Sequence, residues 1–267
     1  MCLIAIAWKV HPRYPLVLIA NRDELHARPT AAAGPDPDAL HVYGGRDLVQ
    51  GGSWLQAARH GRLAAVTNVR CGTAPEVAPR SRGWLVRDFV RAEESAVSHV
   101  RDLLPRADEY GRFNLLAWDG DDLAFASNHP EPMHAPVSPG VHAMSNGAFD
   151  APWPKSTLAT RALEGWLGGL SHRVDPFADH ACLAPLFGAL ADAAPAPDAA
   201  LPDTGVGRDL ERALSPPFVA GAEYGTRCSS VILVEGSRLL FAERRFGPGG
   251  APLGESVAEL MLAGAST

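Results

Sequence analysis

The sequence predicts an α+β fold in which largely antiparallel sheets are covered by helices, within one domain spanning residues 1–267. Three observations lead to this prediction. Short apolar runs occur in pairs, tight turns separate the members of each pair, and helical periodicity is confined to the stretches between the pairs. No stretch of the chain clearly reads as a linker and no internal repeat is visible, so a single domain is expected.

The strand predictions rest on apolar runs bounded by loop or turn residues. The first two expected strands are LIAIAW and LVLIAN, which the loop KVHPRYP separates. Three later segments are typical of β-hairpins, because a turn dipeptide stands between two apolar runs. The three turns are His60-Gly61, Asp119-Gly120 and Glu235-Gly236. Hairpins join antiparallel neighbours, so the sheets should be mainly antiparallel.

The helix predictions rest on apolar residues at helical spacing and on capping residues. Five helices are expected, over SRGWLVRDFVRA (with Ser81 as its cap), SAVSHVRDLLPRA, KSTLATRALEGWL, FADHACLAPLFGALA and, at the end of the chain, ESVAELMLAG. Between the fourth and the last lies DAAPAPDAALPDTG, whose alanine, proline and aspartate content predicts a surface loop or a flexible flap.

Composition excludes several classes of function. A net charge of -6 argues against a nucleic-acid partner, since phosphate binding needs clustered lysine and arginine. The chain has no apolar run near the ~20 residues of a membrane helix, so no membrane span is expected. Four widely spaced cysteines form no CxxC pair, which argues against a zinc ribbon, a thioredoxin-like motif and CxxCH haem attachment, and no metal site is expected. Without a signal-peptide pattern, a cytoplasmic location with reduced thiols is expected.

Several polar residues stand at the ends of expected strands, where their side chains could reach a common site. They are Cys2, Arg22, Asp23, Asn68, Asn146 and Arg227. Each has a simple structural interpretation when taken alone. A cysteine on a first strand is often a small buried apolar residue, an asparagine often closes a turn, and an Arg-Asp pair is often a surface ion pair.

Together these residues predict an acyl-transfer site. Methionine is usually removed when the next residue is small, so Cys2 would carry both a thiol and a free α-amine. An α-amine has a pKa near ~8 and is suited to act as the general base for the thiol. This prediction depends on removal of Met1.

The remaining residues supply the other parts of that chemistry. Asp23 is suited to orient the amine, and a cation from Arg22 or Arg227 would favour the thiolate. The side-chain NH2 groups of Asn68 and Asn146 are suited to hold a developing oxyanion. On a straight strand the adjacent side chains of Arg22 and Asp23 face opposite ways, so a bend or a strand end is needed if both act at one site.

The sequence resembles the NRDE family, also called the transport and Golgi organization protein 2 family. The matching stretches, spread from residue 1 to about residue 234, are MCLI, ANRDELHARP, GGSWLQAARHGRLAAVTNVR, SRGWLVRDFV, FNLLAWD, SNGAFDAPWPK and YGTRCSSVILV. The resemblance implies an N-terminal-nucleophile (Ntn) hydrolase fold, a four-layer αββα sandwich of two antiparallel sheets between helices. It implies a hydrolase acting on a non-peptide amide or thioester, with no cofactor required.

A more distant similarity links the candidate residues to cysteine-type Ntn amidases, such as the bile-salt hydrolase and penicillin V acylase group. In that group the early arginine and aspartate are not adjacent as Arg22 and Asp23 are, which favours Arg22 as the neighbour of the thiol. Asn21, Trp54 and Trp153 are the expected substrate-binding residues. For Trp153 there is also a structural alternative, fixing the entry to a helix that begins with Pro154.

The family resemblance also implies a second kind of function, the intracellular handling of haem, with links to lipid metabolism. A haem ligand would need an axial side chain, and His129, His134 and His142 lie close together in sequence, but no residue is indicated as the ligand. Three alternatives stay open: a hydrolase of a small molecule, a binding or trafficking protein for haem or an acyl lipid, and a fold kept only for structure. The oligomeric state is open.

Overall fold

The computed structural model describes residues 2–74, 76–170 and 174–263. Apart from the gaps, these residues form two compact units. The first contains residues 2–27, 71–73 and 139–259, and the second contains residues 28–70, 74–138 and 260–263. The prediction of one domain over the whole chain stays a prediction.

The strands of the described residues are β1 (Cys2–Trp8), β2 (Leu16–Leu25), β3 (Thr30–Asp36), β4 (Ala39–Asp47), β5 (Leu55–Ala58), β6 (Arg62–Asn68), β7 (Phe113–Trp118), β8 (Leu123–Ser127), β9 (Met133–Pro136), β10 (Gly140–Met144), β11 (Tyr224–Glu235), β12 (Arg238–Phe246) and β13 (Pro252–Met261). The helices are α1 (Gly83–Arg91), α2 (Ala96–Leu103), α3 (Pro154–Gly169), α4 (Ala184–Leu190) and α5 (Arg208–Ala213), with short 3₁₀ turns at Leu104–Glu109, His180–Leu183, Asp198–Ala200 and Pro248–Gly250.

The first unit is built on a six-stranded antiparallel sheet in the order β10-β1-β2-β11-β12-β13. One face of this sheet carries small and β-branched residues, including Ala5, Ile19 and Val231, and is covered by α3 and α4. Helix α3 contributes Leu163 and α4 contributes Leu186, both fully buried. Burying a leucine side chain stabilises a fold by ~1.5–3 kcal/mol, so this apolar layer fixes the central strands that carry the candidate site.

The second unit is built on a seven-stranded antiparallel sheet in the order β3-β4-β5-β6-β7-β8-β9. Helices α1 and α2 cover one of its faces, where Phe89 and Val100 pack against Val66, Leu115 and Ala124. The α+β fold class predicted from the sequence, with two antiparallel sheets and covering helices, is confirmed.

All three predicted hairpins are present, since β5–β6, β7–β8 and β11–β12 are antiparallel pairs joined at the expected turns. The two opening strands are present as well, and β2 continues through the NRDE tetrapeptide to Leu25. Four strands were not predicted, namely β3, β4, β9 and β10. The segment of β3 contains Gly34 and Pro35, which weaken a strand signal, and its pairing with β4 has two register shifts.

The helix predicted over ESVAELMLAG is wrong, because residues 255–261 of this segment lie in strand β13. Its glutamates pair with arginines of the neighbouring strand β12: Glu259 meets Arg238 at 2.7 Å and Glu255 meets Arg244 at 3.4 Å. The free edge of β12 and these cross-strand charge pairs override the helical propensity of a segment rich in alanine, glutamate and leucine.

Two predicted helix boundaries also differ from the structure. Helix α1 begins at Gly83 with Arg82 at the N-cap, and the side chain of Arg82 makes no capping bond. Ser81 lies one residue earlier than a cap and accepts a hydrogen bond from the Gly83 N–H at 3.3 Å. The predicted helix over FADHACLAPLFGALA is shorter, because its first turn is 3₁₀ and α4 begins only at Ala184.

Within the described ranges, no helix combines the length and apolar character that a membrane crossing requires. All four cysteines are free.

One close approach in the second unit requires a glycine and gives a test of the fold. Gly52 has φ +82°, and an added Cβ would stand 2.4 Å from the carbonyl carbon of Gly83, at the start of α1. We therefore expect Gly52→Ala to lower the free energy of unfolding by about 1–3 kcal/mol, or more. Urea unfolding followed by circular dichroism measures the change.

Gly165→Ala is the matched control, because Gly165 lies inside α3 and an added Cβ would have nothing within 4 Å. Alanine is the better helix former, so this variant should gain up to about 1 kcal/mol. Equal unfolding free energies for the two variants would contradict the close packing of Gly52 on α1.

Candidate active site

Cys2 is the first residue of β1 and lies directly opposite Arg22 of β2. Arg22 in turn lies opposite Cys228 of β11. Paired residues on neighbouring antiparallel strands point to the same face of the sheet, so the Arg22 side chain stands between the two thiols. Arg22 is only 6% exposed and forms an ion pair with Glu24 at 3.7 Å. The register thus brings together the predicted nucleophile and one predicted cation.

A β-bulge in β11 changes the pairing next to Arg22. The register shifts between Thr226 and Cys228, which leaves Arg227 as the extra residue. Asp23 pairs with Thr226, and the Thr226 hydroxyl donates a hydrogen bond to Asp23 Oδ1 at 2.7 Å. Asp23 is buried, yet it lies close enough to Cys2 for its negative charge to raise the pKa of the thiol. Both Arg22 and Asp23 therefore act on Cys2 from adjacent positions of one strand.

Arg227 is held at the end of β2, where its guanidinium donates to the Leu25 carbonyl at 2.8 Å. Burial lowers the pKa of Arg227, and the like charge of Arg22 lowers it further. The bulge therefore places a second partly buried cation close to the first.

Asn146 follows β10, the strand that pairs with β1 on the side away from β2. The Ser145 hydroxyl donates to the Cys2 carbonyl at 3.0 Å and lies 3.3 Å from Asn146 Oδ1. Asn146 itself is fully buried. The turn after β10 therefore ties the predicted oxyanion residue Asn146 to the first residue of β1.

Lys155 is a member of this cluster that the sequence analysis did not select. It lies in the first turn of α3 and is 2% exposed. Its ammonium donates to Asn146 Oδ1 at 3.4 Å and to the Leu214 carbonyl at 3.3 Å. The available signal was rarity, because Lys155 is one of two lysines in the chain and lies in the SNGAFDAPWPK stretch.

Burial raises the pKa values of Asp23 and Cys2, and the nearby positive charges lower them by less. Burial raises the pKa of Asp23, whereas Lys155, the Thr226 hydrogen bond and Arg22 lower it, and the net direction is upward. Burial also raises the pKa of the Cys2 thiol, more than Arg22 lowers it. The effect of Arg22 has the predicted direction, since its charge lowers the pKa of the Cys2 thiol, although burial raises that pKa by more.

Tyr224 and Ser229 also belong to the surroundings of the cluster, and the sequence analysis selected neither. Burial raises the pKa of Tyr224, and the charge of Asp23 raises it further. The Ser229 hydroxyl donates to Asn21 Oδ1 at 2.6 Å. Both residues lie on β11, on either side of the bulge.

Asn21 was predicted to bind substrate, and the structure gives its amide a structural task. Its side-chain nitrogen donates to the carbonyls of Leu190 and Pro217 at 2.7 and 2.8 Å. The side-chain oxygen of Asn21 accepts the hydrogen bond from Ser229, so both the nitrogen and the oxygen of its side-chain amide are bonded within the protein. Asn21 also points to the opposite face of β2 from Arg22.

Trp54 and Trp153, which were predicted to bind substrate, each pack over a glycine. An added Cβ on Gly147 would meet the Trp153 ring at 2.5 Å, so Trp153 packs over the residue that follows Asn146. Trp153 is also the N-cap of α3, with Pro154 in the first position, as the structural alternative predicted. In the second unit, an added Cβ on Gly45 would meet the Trp54 ring at 2.2 Å.

Asn68, the other predicted oxyanion residue, ends β6 in the second unit and pairs with Phe113 of β7. Among the histidines considered for haem, His142 stacks on Phe149, and its Nδ1 lies 2.7 Å from Asp150 Oδ2. Haem binding stays a prediction.

Comparison with known proteins identifies the family. The sequence profile of the family described as Transport and Golgi organisation 2 matches residues 1–248. The chain belongs to this family. The Transport and Golgi organization protein 2 homolog of Bos taurus is 32% identical over 265 residues, which cover 91% of this chain and 92% of the relative. The homolog of Homo sapiens is 30% identical over 267 residues, with the same coverage of both chains.

Solved structures share the fold of this Transport and Golgi organisation 2 family member. The Caenorhabditis elegans ortholog of N-acylethanolamine-hydrolyzing acid amidase aligns with a TM-score of 0.51 and 9% identity, over 87% of this chain and 92% of that chain. The C2A mutant of conjugated bile acid hydrolase from Clostridium perfringens aligns with a TM-score of 0.52 and 7% identity, over 97% and 92%. The chain therefore has an Ntn-hydrolase-like fold, as the family resemblance implied.

The raised pKa of Asp23 predicts how stability depends on pH. A carboxyl group whose pKa is higher in the folded than in the unfolded protein binds its proton more tightly in the folded state. Stability is then lost as the pH rises from about 4 through the folded pKa, by up to about 1.4 kcal/mol per pH unit. We expect the wild type to lose unfolding free energy relative to Asp23→Asn over this range, as measured by urea unfolding at stepped pH.

Asp102→Asn is the control with the opposite sign, since Arg101 lowers the pKa of the exposed Asp102 carboxyl. Relative to that variant, the wild type should gain stability as the pH rises toward about 4 and should show no further change above that range. Parallel curves for the wild type and Asp23→Asn would contradict a raised pKa for Asp23.

Proposed function

We propose that this chain is a cysteine hydrolase of the Ntn type that acts on a non-peptide amide or thioester of a small molecule, with Cys2 as the nucleophile. The observation that most strongly supports the proposal is the register of β1 on β2, which sets the Cys2 thiol opposite the buried Arg22. Two hydrolases with the same fold, one titled an acid amidase and the other a conjugated bile acid hydrolase, add support for the class of reaction.

The first step transfers the substrate acyl group to Cys2. Met1, which lies outside the described residues, must be removed to free the α-amine of Cys2. That amine takes the thiol proton, and the sulfur attacks the substrate carbonyl carbon to form a tetrahedral oxyanion. As the intermediate collapses, the bond from carbon to the leaving nitrogen or sulfur breaks, and the ammonium returns the proton to the leaving atom. Water then hydrolyses the acyl-Cys2 thioester.

The neighbouring residues supply charge and hydrogen bonds for this step. Because burial keeps the Cys2 thiol protonated, the base is needed, and Arg22 reduces the cost of forming the thiolate. Asp23 is the acceptor proposed to orient the amine, and the Asn146 amide is the donor proposed for the oxyanion. The role of Asn68 as a second oxyanion donor rests on the sequence.

Acylation of Cys2 by a reactive ester tests the proposal. With p-nitrophenyl butyrate at neutral pH, we expect release of p-nitrophenolate and the gain of one butyryl group, which intact-mass and peptide mass spectrometry locate on Cys2. The mass should also show loss of Met1. In Cys2→Ala, both the initial burst of p-nitrophenolate and the butyrylation of the protein should fall to background, because position 2 then offers no nucleophile to the acyl group.

Cys71→Ser is the matched control, since Cys71 is an exposed free cysteine and should not affect the burst. A butyryl group on Cys71 alone, or retained Met1 together with an unreactive Cys2, would overturn the hydrolase proposal. The second function considered from the sequence, binding of haem or an acyl lipid without turnover, would then take its place. Haem titration of the Cys2→Ala variant measures it directly.

A further inference from the structure

Lys155 occupies a position that is costly for a lysine. Ammonium groups are almost never fully buried unless they are paired, and Lys155 is 2% exposed. It also lies in the first turn of α3, where the helix dipole disfavours a positive charge. Neither burial nor helix position explains why a cation is kept there, so the reason must lie in the groups that the ammonium contacts.

Three groups that it interacts with accept hydrogen bonds or carry negative charge. The ammonium of Lys155 donates to Asn146 Oδ1 and to the Leu214 carbonyl, and its charge lowers the pKa of the buried Asp23 carboxyl. A lysine has three donor hydrogens and no acceptor, so it selects the oxygen side of any amide it meets. Lys155 thus links two residues of the proposed reaction from the helix side of the sheet.

The contact with Asn146 fixes which way its amide points. Its oxygen faces the ammonium of Lys155 at 3.4 Å, whereas the single hydroxyl hydrogen of the neighbouring Ser145 is donated to the Cys2 carbonyl. Rotating the amide by half a turn would set its NH2 group against the ammonium. The orientation that presents the NH2 group of Asn146 away from Lys155 is therefore strongly preferred, and an oxyanion donor needs that orientation.

The backbone around Lys155 is held firmly enough for this task. Pro154 fixes the first position of α3, and Trp153 before it packs over Gly147, the residue after Asn146. The segments that carry the ammonium and the amide are therefore packed against each other as well as hydrogen-bonded.

We propose that Lys155 is a positioning residue of this site, whose buried ammonium orients the Asn146 amide as an oxyanion donor. This inference rests on the proposed hydrolase function. The alternative is a purely structural role, in which the Lys155 ammonium only binds the Leu214 carbonyl. In that case, substitutions of Lys155 and Asn146 would lower the reaction rate independently.

A double-mutant cycle separates the two roles. The measured quantity is the rate of the p-nitrophenolate burst with p-nitrophenyl butyrate for the wild type, Lys155→Met, Asn146→Ala and the double variant. Loss of an oxyanion donor typically lowers a rate by about 10²–10³. We expect Lys155→Met and Asn146→Ala each to lose about 10²-fold, and the double variant to lose no more than about threefold beyond Asn146→Ala, because Lys155 acts through Asn146.

Two controls accompany the cycle. Lys155→Arg keeps the cation and should retain at least about a tenth of the wild-type rate. Lys9→Met removes the other lysine of the chain, whose ammonium lies over the Trp8 ring, and should leave the rate unchanged. Circular dichroism of each variant checks that it is folded. Multiplicative losses in the double variant, or a wild-type rate in Lys155→Met, would overturn the positioning role while leaving the hydrolase function intact.

A second readout is independent of turnover. Carbon-13 NMR of the Asp23 carboxyl should show a higher pKa in Lys155→Met than in the wild type, because the neighbouring cation is gone. If the wild type gives no burst at all, the hydrolase function fails, and Lys155 loses its role in the reaction with it. An unchanged Asp23 titration would in addition overturn the electrostatic effect of Lys155 on Asp23.

Discussion

The pairing of β1 with β2 is the interaction on which the candidate site depends. Its register runs from Cys2 opposite Arg22 to Trp8 opposite Leu16, and the apolar residues between these ends are buried. A slip of one residue would turn every β1 side chain to the other face, which would bury Cys2 among the residues under α3 and α4. The core therefore specifies the register, and the register places the thiol beside the guanidinium. The packing of apolar residues away from Cys2 therefore keeps Cys2 and Arg22 in place.

Buried charge is the second constraint. Lys155, Asp23 and Arg22 are all buried, and the two cations offset part of the desolvation of the Asp23 carboxylate. Buried ion pairs rarely add stability compared with well-packed apolar residues of the same volume. A cluster of this kind costs stability relative to an apolar core, so its charges are not explained by the stability of the fold.

The sequence predicted those parts of the fold and site that local signals determine. The turns at His60-Gly61 and Glu235-Gly236 were predictable because turn chemistry acts over a few residues. Cys2 and Arg22 were selected because they stand at the ends of apolar runs, and the family resemblance supported the choice. The strand β13 was missed because its state is decided by arginines of β12 rather than by its own composition. Lys155 was missed for a related reason. Its burial against Asn146 depends on how α3 packs on the six-stranded sheet, which cannot be predicted from a local sequence pattern.

The bulge at Arg227 divides β11 into two segments of different character. From Cys228 onward, the strand is in regular register with β2, and its apolar run from Val231 to Val234 is buried. Before the bulge, the stretch from Tyr224 to Thr226 is out of phase by one residue and carries groups that surround Asp23. A substitution at positions 224–226 therefore changes the surroundings of Asp23, whereas a substitution between Val231 and Val234 disturbs the core instead.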